Sequence, residues 1–328
     1  MRTRSISVFA LFVLAVGLIV SWIWIQGIGA KDFVPPSEEV RLKAIGSLRG
    51  ASNINRRALD PGDDFLPIPK PGPSDWLANH KEPGQTFDEF TASKPNRPNA
   101  KQVKIYLQPL GKFDPEISPD LKDLKTCAEA YFQMEVKLLP TIGLDDARLT
   151  SRIHPQTKEK QYLTGDIMQM LQKQLAPDAY CLLGITMEDL YPEDSWNFVF
   201  GQASLRNRVG VYSFARYNPG FYGNEPKDSD RELILKRSLG VLVHETGHMF
   251  GIKHCIHFQC VMNGSNHLEE SDSRDLYLCP VCLRKLGWST NFDVVKRYQE
   301  LEKLYRDLGL KKDADWVKQR LAWIEQAK

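Results

Sequence analysis

Hydrophobic patterning divides the 328 residues into three regimes. From Ser5 to Ala30 no residue is charged, with an apolar heart at 6–25. From 31 to 100, ten of the chain's twenty prolines interrupt any period. Beyond 101, strand-like and helix-like runs alternate. Positions 103–110 alternate and carry β-branched residues, which predicts a strand. Leu121, Leu124, Ala128 and Tyr131 recur at helical spacing within a helix expected over 119–134, with Ser118 as N-cap. A short strand is expected at 136–139, then a polar loop over 141–162. Ile167, Met170, Leu171 and Leu175 form the stripe of a helix over 165–175, capped by Thr164. The near-continuous apolar run 180–185 predicts a central strand covered on both faces. Further strands are expected at 197–200 and 209–214, and a long helix over 230–250. Ser229 and Glu232 would form its capping box. Past Gly251 regular structure fades until two charged amphipathic helices at 293–308 and 314–327. Alternating strands and helices make the fold class α/β (α+β), with a largely covered sheet.

This patterning sets the expected organisation. The 6–25 run has about the length that spans a bilayer's hydrocarbon core. Arg2 and Arg4 precede it, and Trp22 and Trp24 near its far end suit an interfacial belt. Residues 1–30 thus predict a single membrane anchor, with the rest of the chain extracytoplasmic. A signal peptide cleaved near Gly27-Ile28-Gly29, giving a secreted protein, is the alternative. Residues 31–100 read as a Pro-rich linker or extension. Pro67, Pro69, Pro71 and Pro73 forbid helix there. A tether is expected over 31–65. Asp75-Trp76-Leu77-Ala78 and 87–90 are expected to dock on the domain proper, 101–328, because buried aromatics offset the cost of ordering them.

The long helix carries the chemistry. It contains and runs into His244-Glu245-Thr246-Gly247-His248-Met249-Phe250-Gly251-Ile252-Lys253-His254. His244 and His248 are one turn apart on the same face, so two imidazoles can share one metal ion. Glu245 is placed to reach water on that metal as a general base. Gly251 can take the left-handed conformation that ends the helix and returns His254 as third ligand. Three protein ligands leave one position open, as in catalytic rather than structural zinc sites. The short His-Glu-x-x-His pattern arises by chance in roughly one chain in a hundred. Adding Gly251 and His254 lowers the odds to about one in 100,000. The alternative is two core histidines beside an unrelated loop histidine.

Cysteines add a second candidate centre. Cys255 and Cys260 are spaced Cys-x4-Cys, and Cys279 and Cys282 are spaced Cys-x2-Cys. Two close pairs separated by a loop can aim four thiolates at one zinc, closing a structural tetrahedron. Two zinc ions per chain are then expected, one catalytic and one structural. Two disulfides are the alternative, credible in an exported domain. Cys127 and Cys181 are expected as buried free thiols. His257, His267, Glu269 and Glu270 are expected at the surface. The net charge of +2 gives no sign of a nucleic-acid partner. Heptads in the last two helices are too few for a coiled coil, and a monomer is expected.

With these residues assembled, the chain resembles the archaemetzincins, zinc metallopeptidases of the metzincin clan, in their eukaryotic-type branch. The likeness rests on His244 to His254, on Cys255, Cys260 and Cys279-Pro280-Val281-Cys282, and on Met262 two residues after Cys260. Asp189-Leu190-Tyr191-Pro192 and the run from Asn197 to Ala203 are also similar. Asp75-Trp76-Leu77 with Gln85-Thr86-Phe87 is similar to the branch's N-terminal extension. The resemblance implies a methionine turn at Met262 beneath the catalytic zinc. It also implies a cleft, with a mixed sheet and helices above it and a smaller C-terminal subdomain carrying the cysteines. The apolar N-terminus departs from the family's pattern, so localisation is not carried over. The function expected is peptide-bond hydrolysis, with zinc-bound water as nucleophile and Glu245 as base. A peptide or protein substrate would add a strand to a free sheet edge, for which 208–217 is the candidate. Two alternatives stand: an inactive zinc fold that only binds peptides, and a hydrolase of non-peptide amides.

Overall fold

A computed structural model describes residues 33–327, apart from 146–148, 226 and 228. The fold is mixed α/β. Its strands are β1 (Lys104–Leu110), β2 (Glu135–Leu138), β3 (Ser151–Ile153), β4 (Lys160–Leu163), β5 (Ala179–Thr186), β6 (Asp189–Tyr191), β7 (Gly201–Ser204) and β8 (Val209–Ser213). They form a five-stranded sheet in the order β2-β1-β5-β8-β7 and a three-stranded sheet in the order β3-β4-β6. In the large sheet β7 alone is antiparallel to its neighbour. Every residue of the central β5 is buried. Cys181 and Leu183 join one core and Leu182 the other, since successive side chains in a strand point to opposite faces.

The helices are α1 (Glu38–Ile45), α2 (Asn53–Ala58), α3 (Trp76–Asn79), α4 (Phe87–Ala92), α5 (Leu121–Phe132), α6 (Thr164–Lys173), α7 (Asp230–Met249), α8 (Leu268–Asp272), α9 (Pro280–Thr290), α10 (Val294–Asp307) and α11 (Lys311–Glu325). Helix α6 covers one face of the large sheet, while α5 and α7 pack together on the other.

Several sequence expectations shift. The segment 141–162 holds β3 and β4 rather than a bare loop. β3 is an exposed edge strand, so it carries no apolar alternation. The strand expected at 197–200 begins later, at Gly201, and side chains take the carbonyls at its expected start. Arg152 reaches the carbonyls of Trp196 and Asn197, and Gln161 donates to Asn197 at 3.0 Å. Asp120, not Ser118, caps α5. Thr164 lies inside α6 and its hydroxyl turns to Tyr191 and Gln202. Ser229 makes no side-chain cap bond at α7. After Gly251 the chain still builds α8 and α9, the latter opened by Cys279 as N-cap and Pro280 at its first turn.

The largest difference lies before residue 101. Residues 33–65 are not a tether. Ser37 and Ser52 cap α1 and α2, accepting from Val40 and Asn55 backbone N–H groups. Ala44, Ile45, Ala58, Leu59 and Phe65 enter the main core. Arginines of the C-terminal helices hold the carbonyl ends of both helices, where the backbone dipole favours cations. Arg284 donates to the carbonyls of Ile45 and Ser47. Arg320, fully buried, donates to the carbonyls of Arg57, Ala58 and Asp60 and to Asp64 at 2.8 Å. Trp76, Leu77 and Phe90 are buried, so the second half of the extension docks as expected.

The expected membrane-anchored localisation is corrected. Among the described residues no helix is long and apolar enough to cross a membrane. Residues 1–30, on which that expectation rested, lie outside the described residues.

Replacing Arg320 leaves buried carbonyls without a donor. We expect Arg320→Met to destabilise the fold by on the order of 3 kcal/mol, read from the midpoint of urea unfolding.

Candidate metal centre

Helix α7 buries Leu239, Leu242, Val243 and Met249 and leaves His244, Glu245 and His248 half-buried on its other side. Each imidazole is then fixed through its Nδ1. His244 Nδ1 lies 2.7 Å from the Val261 carbonyl, and His248 Nδ1 lies 2.6 Å from the Ile252 carbonyl. A carbonyl can only accept, so Nδ1 carries the proton and Nε2 keeps its lone pair. The two Nε2 atoms face each other at 3.0 Å. Two acceptors this close call for a cation between them. Two zinc–nitrogen bonds of about 2.0–2.1 Å at a tetrahedral angle would set them about 3.4 Å apart. Burial, reinforced by the other two histidines, holds His244 well below its ordinary value and so neutral.

Helix α7 ends at Met249, and Gly251 takes the left-handed conformation, with φ 79°. The returning chain places the His254 ring 5.3 Å from that of His244 and 5.0 Å from that of His248. One ligand atom from each of the three histidines lies within 4.8 Å of the others. His254 Nδ1 meets Glu82 Oε1 at 2.8 Å. Burial opposes charge on Glu82, but hydrogen bonds from His254 and Trp76 outweigh it and hold the carboxyl below its usual range. Burial pushes the Glu245 carboxyl up, against the pull of His248. That direction suits a proton acceptor.

The next loop supports the trio from beneath. Met262 is fully buried, and a Cβ added at Gly247 would sit 2.7 Å from its sulfur. Only glycine lets this methionine press against α7 between the two histidines. Asn263 laces the turn: its amide donates to the carbonyls of Cys255 and Phe258, and its oxygen accepts from Cys260 N–H. Arg274 donates to the carbonyls of Asn263 and Gly264.

Cys255, Cys260, Cys279 and Cys282 converge in a second buried group, their sulfurs within 4.8 Å of one another. All six cysteines are free, and Cys255 Sγ and Cys279 Sγ are 3.5 Å apart, far beyond a disulfide bond. Hydrogen bonds from Cys260, Cys279 and Cys282 hold Cys255 well below its ordinary value, while burial drives Cys279 well above. Four buried sulfurs this close repel one another as thiolates unless a cation lies among them. A divalent cation is the partner that would sustain four.

The model of Peptidase family M54 matches residues 157–287. Archaemetzincin-2 from Homo sapiens is 41% identical, over 77% of this chain and 78% of its own length. The chain belongs to the archaemetzincin family. It is therefore a zinc metallopeptidase. Archaemetzincin-1 from Homo sapiens is 34% identical over 69% of this chain and 51% of its own length. Among solved structures, archaemetzincin from Methanopyrus kandleri matches 60% of this chain and 99% of its own, at 29% identity and TM-score 0.45.

Some residues of this archaemetzincin's site escaped the sequence reading. Glu82 stands 172 residues before His254, and no local pattern links them. Asn263 directly follows Met262 but gave no signal of its own. The histidines and acids expected at the surface divide. Glu269 is exposed, but His257 is buried. His267 Nε2 meets Asp75 at 3.1 Å, and Glu270 accepts from the backbone N–H groups of Trp76 and Asn266. Asp75, His267 and Glu270 could also approach one ion, but these bonds occupy them as a clip between the extension and α8.

Two outcomes follow. At pH 8 the native metal-loaded chain should resist alkylation at all six cysteines. A strong chelator should open the four clustered thiols but not Cys127, whose thiol burial pushes up to about 12, nor Cys181. Peptide mass mapping distinguishes them, and recovery of disulfide-linked peptides would contradict the cluster. Gly247→Ala should crowd Met262 and cost about 1–3 kcal/mol, read as a lowered melting temperature.

Proposed function

We propose that this archaemetzincin cleaves peptide bonds in a peptide or protein substrate, with two zinc ions per chain. His244, His248 and His254 hold the catalytic ion, and the four clustered cysteines hold the structural one. When bound, the catalytic zinc supplies Lewis acidity that makes water nucleophilic at neutral pH and stabilises a developing oxyanion. The protein does the rest. The Nδ1 hydrogen bonds fix the three rings so that no reorganisation is needed during turnover. Glu245 takes the proton of the attacking water and returns it to the leaving amine. The cysteine cluster anchors the loop that carries the Val261 carbonyl and Met262, and so steadies the catalytic ring of His244.

The substrate lies extended along β7. The edge expected at 208–217 is interior, since β8 pairs with both β5 and β7. β7 is the strand on that side with a free edge, and α7 packs beside it. Backbone hydrogen bonds from a substrate would extend the sheet there.

The observation that carries this reading is the pair of Nε2 lone pairs facing at 3.0 Å with Glu245 next in sequence. A binding module without catalysis would have no use for a half-buried carboxylate at that position. Glu245→Gln is expected to keep its zinc, measured by elemental analysis, and to lose about 10²–10⁴ in rate on a peptide library. A parent chain that cuts nothing in that library, with or without chelator, would favour the binding module. Undiminished cutting by the variant would remove Glu245 from its role.

A further inference from the structure

We propose that Glu82, on the extension that precedes the domain, is a positioning residue for the third metal ligand. The strap from 66 to 95 then belongs to the working metal centre. This rests on the reading that His254 holds the catalytic zinc.

The three histidines are not oriented alike. His244 and His248 donate from Nδ1 to carbonyls of the loop that follows α7. His254 instead meets a carboxylate brought from the extension, at 2.8 Å. A carboxylate can only accept, so it fixes the ring's tautomer and aims Nε2 at the trio. Its charge also strengthens the ring as a ligand, which backbone carbonyls do less well.

Glu82 is itself held in place. The same Oε1 accepts from Trp76 Nε1 at 3.0 Å. The Trp76 ring stands edge-on to the His254 ring at 5.2 Å. It also fills the space over Gly264, where an added Cβ would lie 2.5 Å from the indole. Gln85 grips the same loop on the helix side of His254. Its amide donates to the Gly251 carbonyl, and its oxygen accepts from Lys253 N–H and from the buried Lys285. Pro95 occupies the space beside Gly251. The strap thus touches the ligand loop at the helix end, at the third ligand and at the methionine turn.

A plain docking contact would also join these parts, so the test separates docking from ligand support. Zinc affinity of the full chain is measured by competition with a chromophoric chelator for four variants. Glu82→Ala is expected to weaken the histidine site by about 10–100-fold and to leave the cysteine site unchanged. Glu82→Gln keeps an acceptor oxygen without the charge, and its near-native shape guards against loss of fold. It should fall between Glu82→Ala and the parent. Asp75→Ala breaks the clip to His267 without touching His254, and should bind zinc as the parent does. The proposal is overturned if both Glu82 variants bind as tightly as the parent, or if Asp75→Ala loses as much affinity as Glu82→Ala. His254→Ala tests the underlying reading. Parent-like affinity in that variant would remove the histidine trio as a zinc site, a result distinct from a null at Glu82 alone.

Discussion

The structure depends on one small set of hydrogen bonds: three imidazole Nδ1–H groups, each given an oxygen. The Val261 carbonyl, the Ile252 carbonyl and the Glu82 carboxylate take those protons. Each bond fixes how its ring is turned, and the three rings converge. Without them the rings could turn, and the three would not be held toward one point. The chain's long-range organisation follows from supplying those oxygens. α7 presents two rings, the loop after Gly251 presents the third and one acceptor, and the turn at Met262 and the strap present the others.

This explains why the two candidate centres sit side by side. Cys255 follows His254, and Cys260 precedes Val261. The backbone between the clustered sulfurs therefore carries an acceptor for a ligand of the other centre. Asn263 closes the same turn through Cys255, Phe258 and Cys260. This irregular segment is pinned from both sides, and its stiffness passes directly to His244.

What was legible in the sequence was local. The helix under His244 and His248, the turn at Gly251 and the cysteine pairs depend on spacings of a few residues, and all three are in place. The central strand at 179–186 was legible because burial on both faces leaves a continuous apolar run. The rest depended on distant partners. β3 is too short and exposed to show a period. Residues 33–65 looked like a tether because their helices are short and mostly polar, and their ends are satisfied by Arg284 and Arg320 from far along the chain. Ser37 and Ser52 were the local signals available, as side chains able to cap. Glu82 had none, since the acid and its histidine meet only after the whole domain has closed.

The space above Gly264 has a consequence for how this architecture can vary. An indole already occupies the volume a side chain would need there. Any chimera that joins this domain to a foreign leading segment inherits a gap over Gly264, beside the His254 ring. Any substitution at 264 evicts the tryptophan that seats the native one. The two regions, nearly two hundred positions apart in the chain, are therefore free to diverge only as a matched pair.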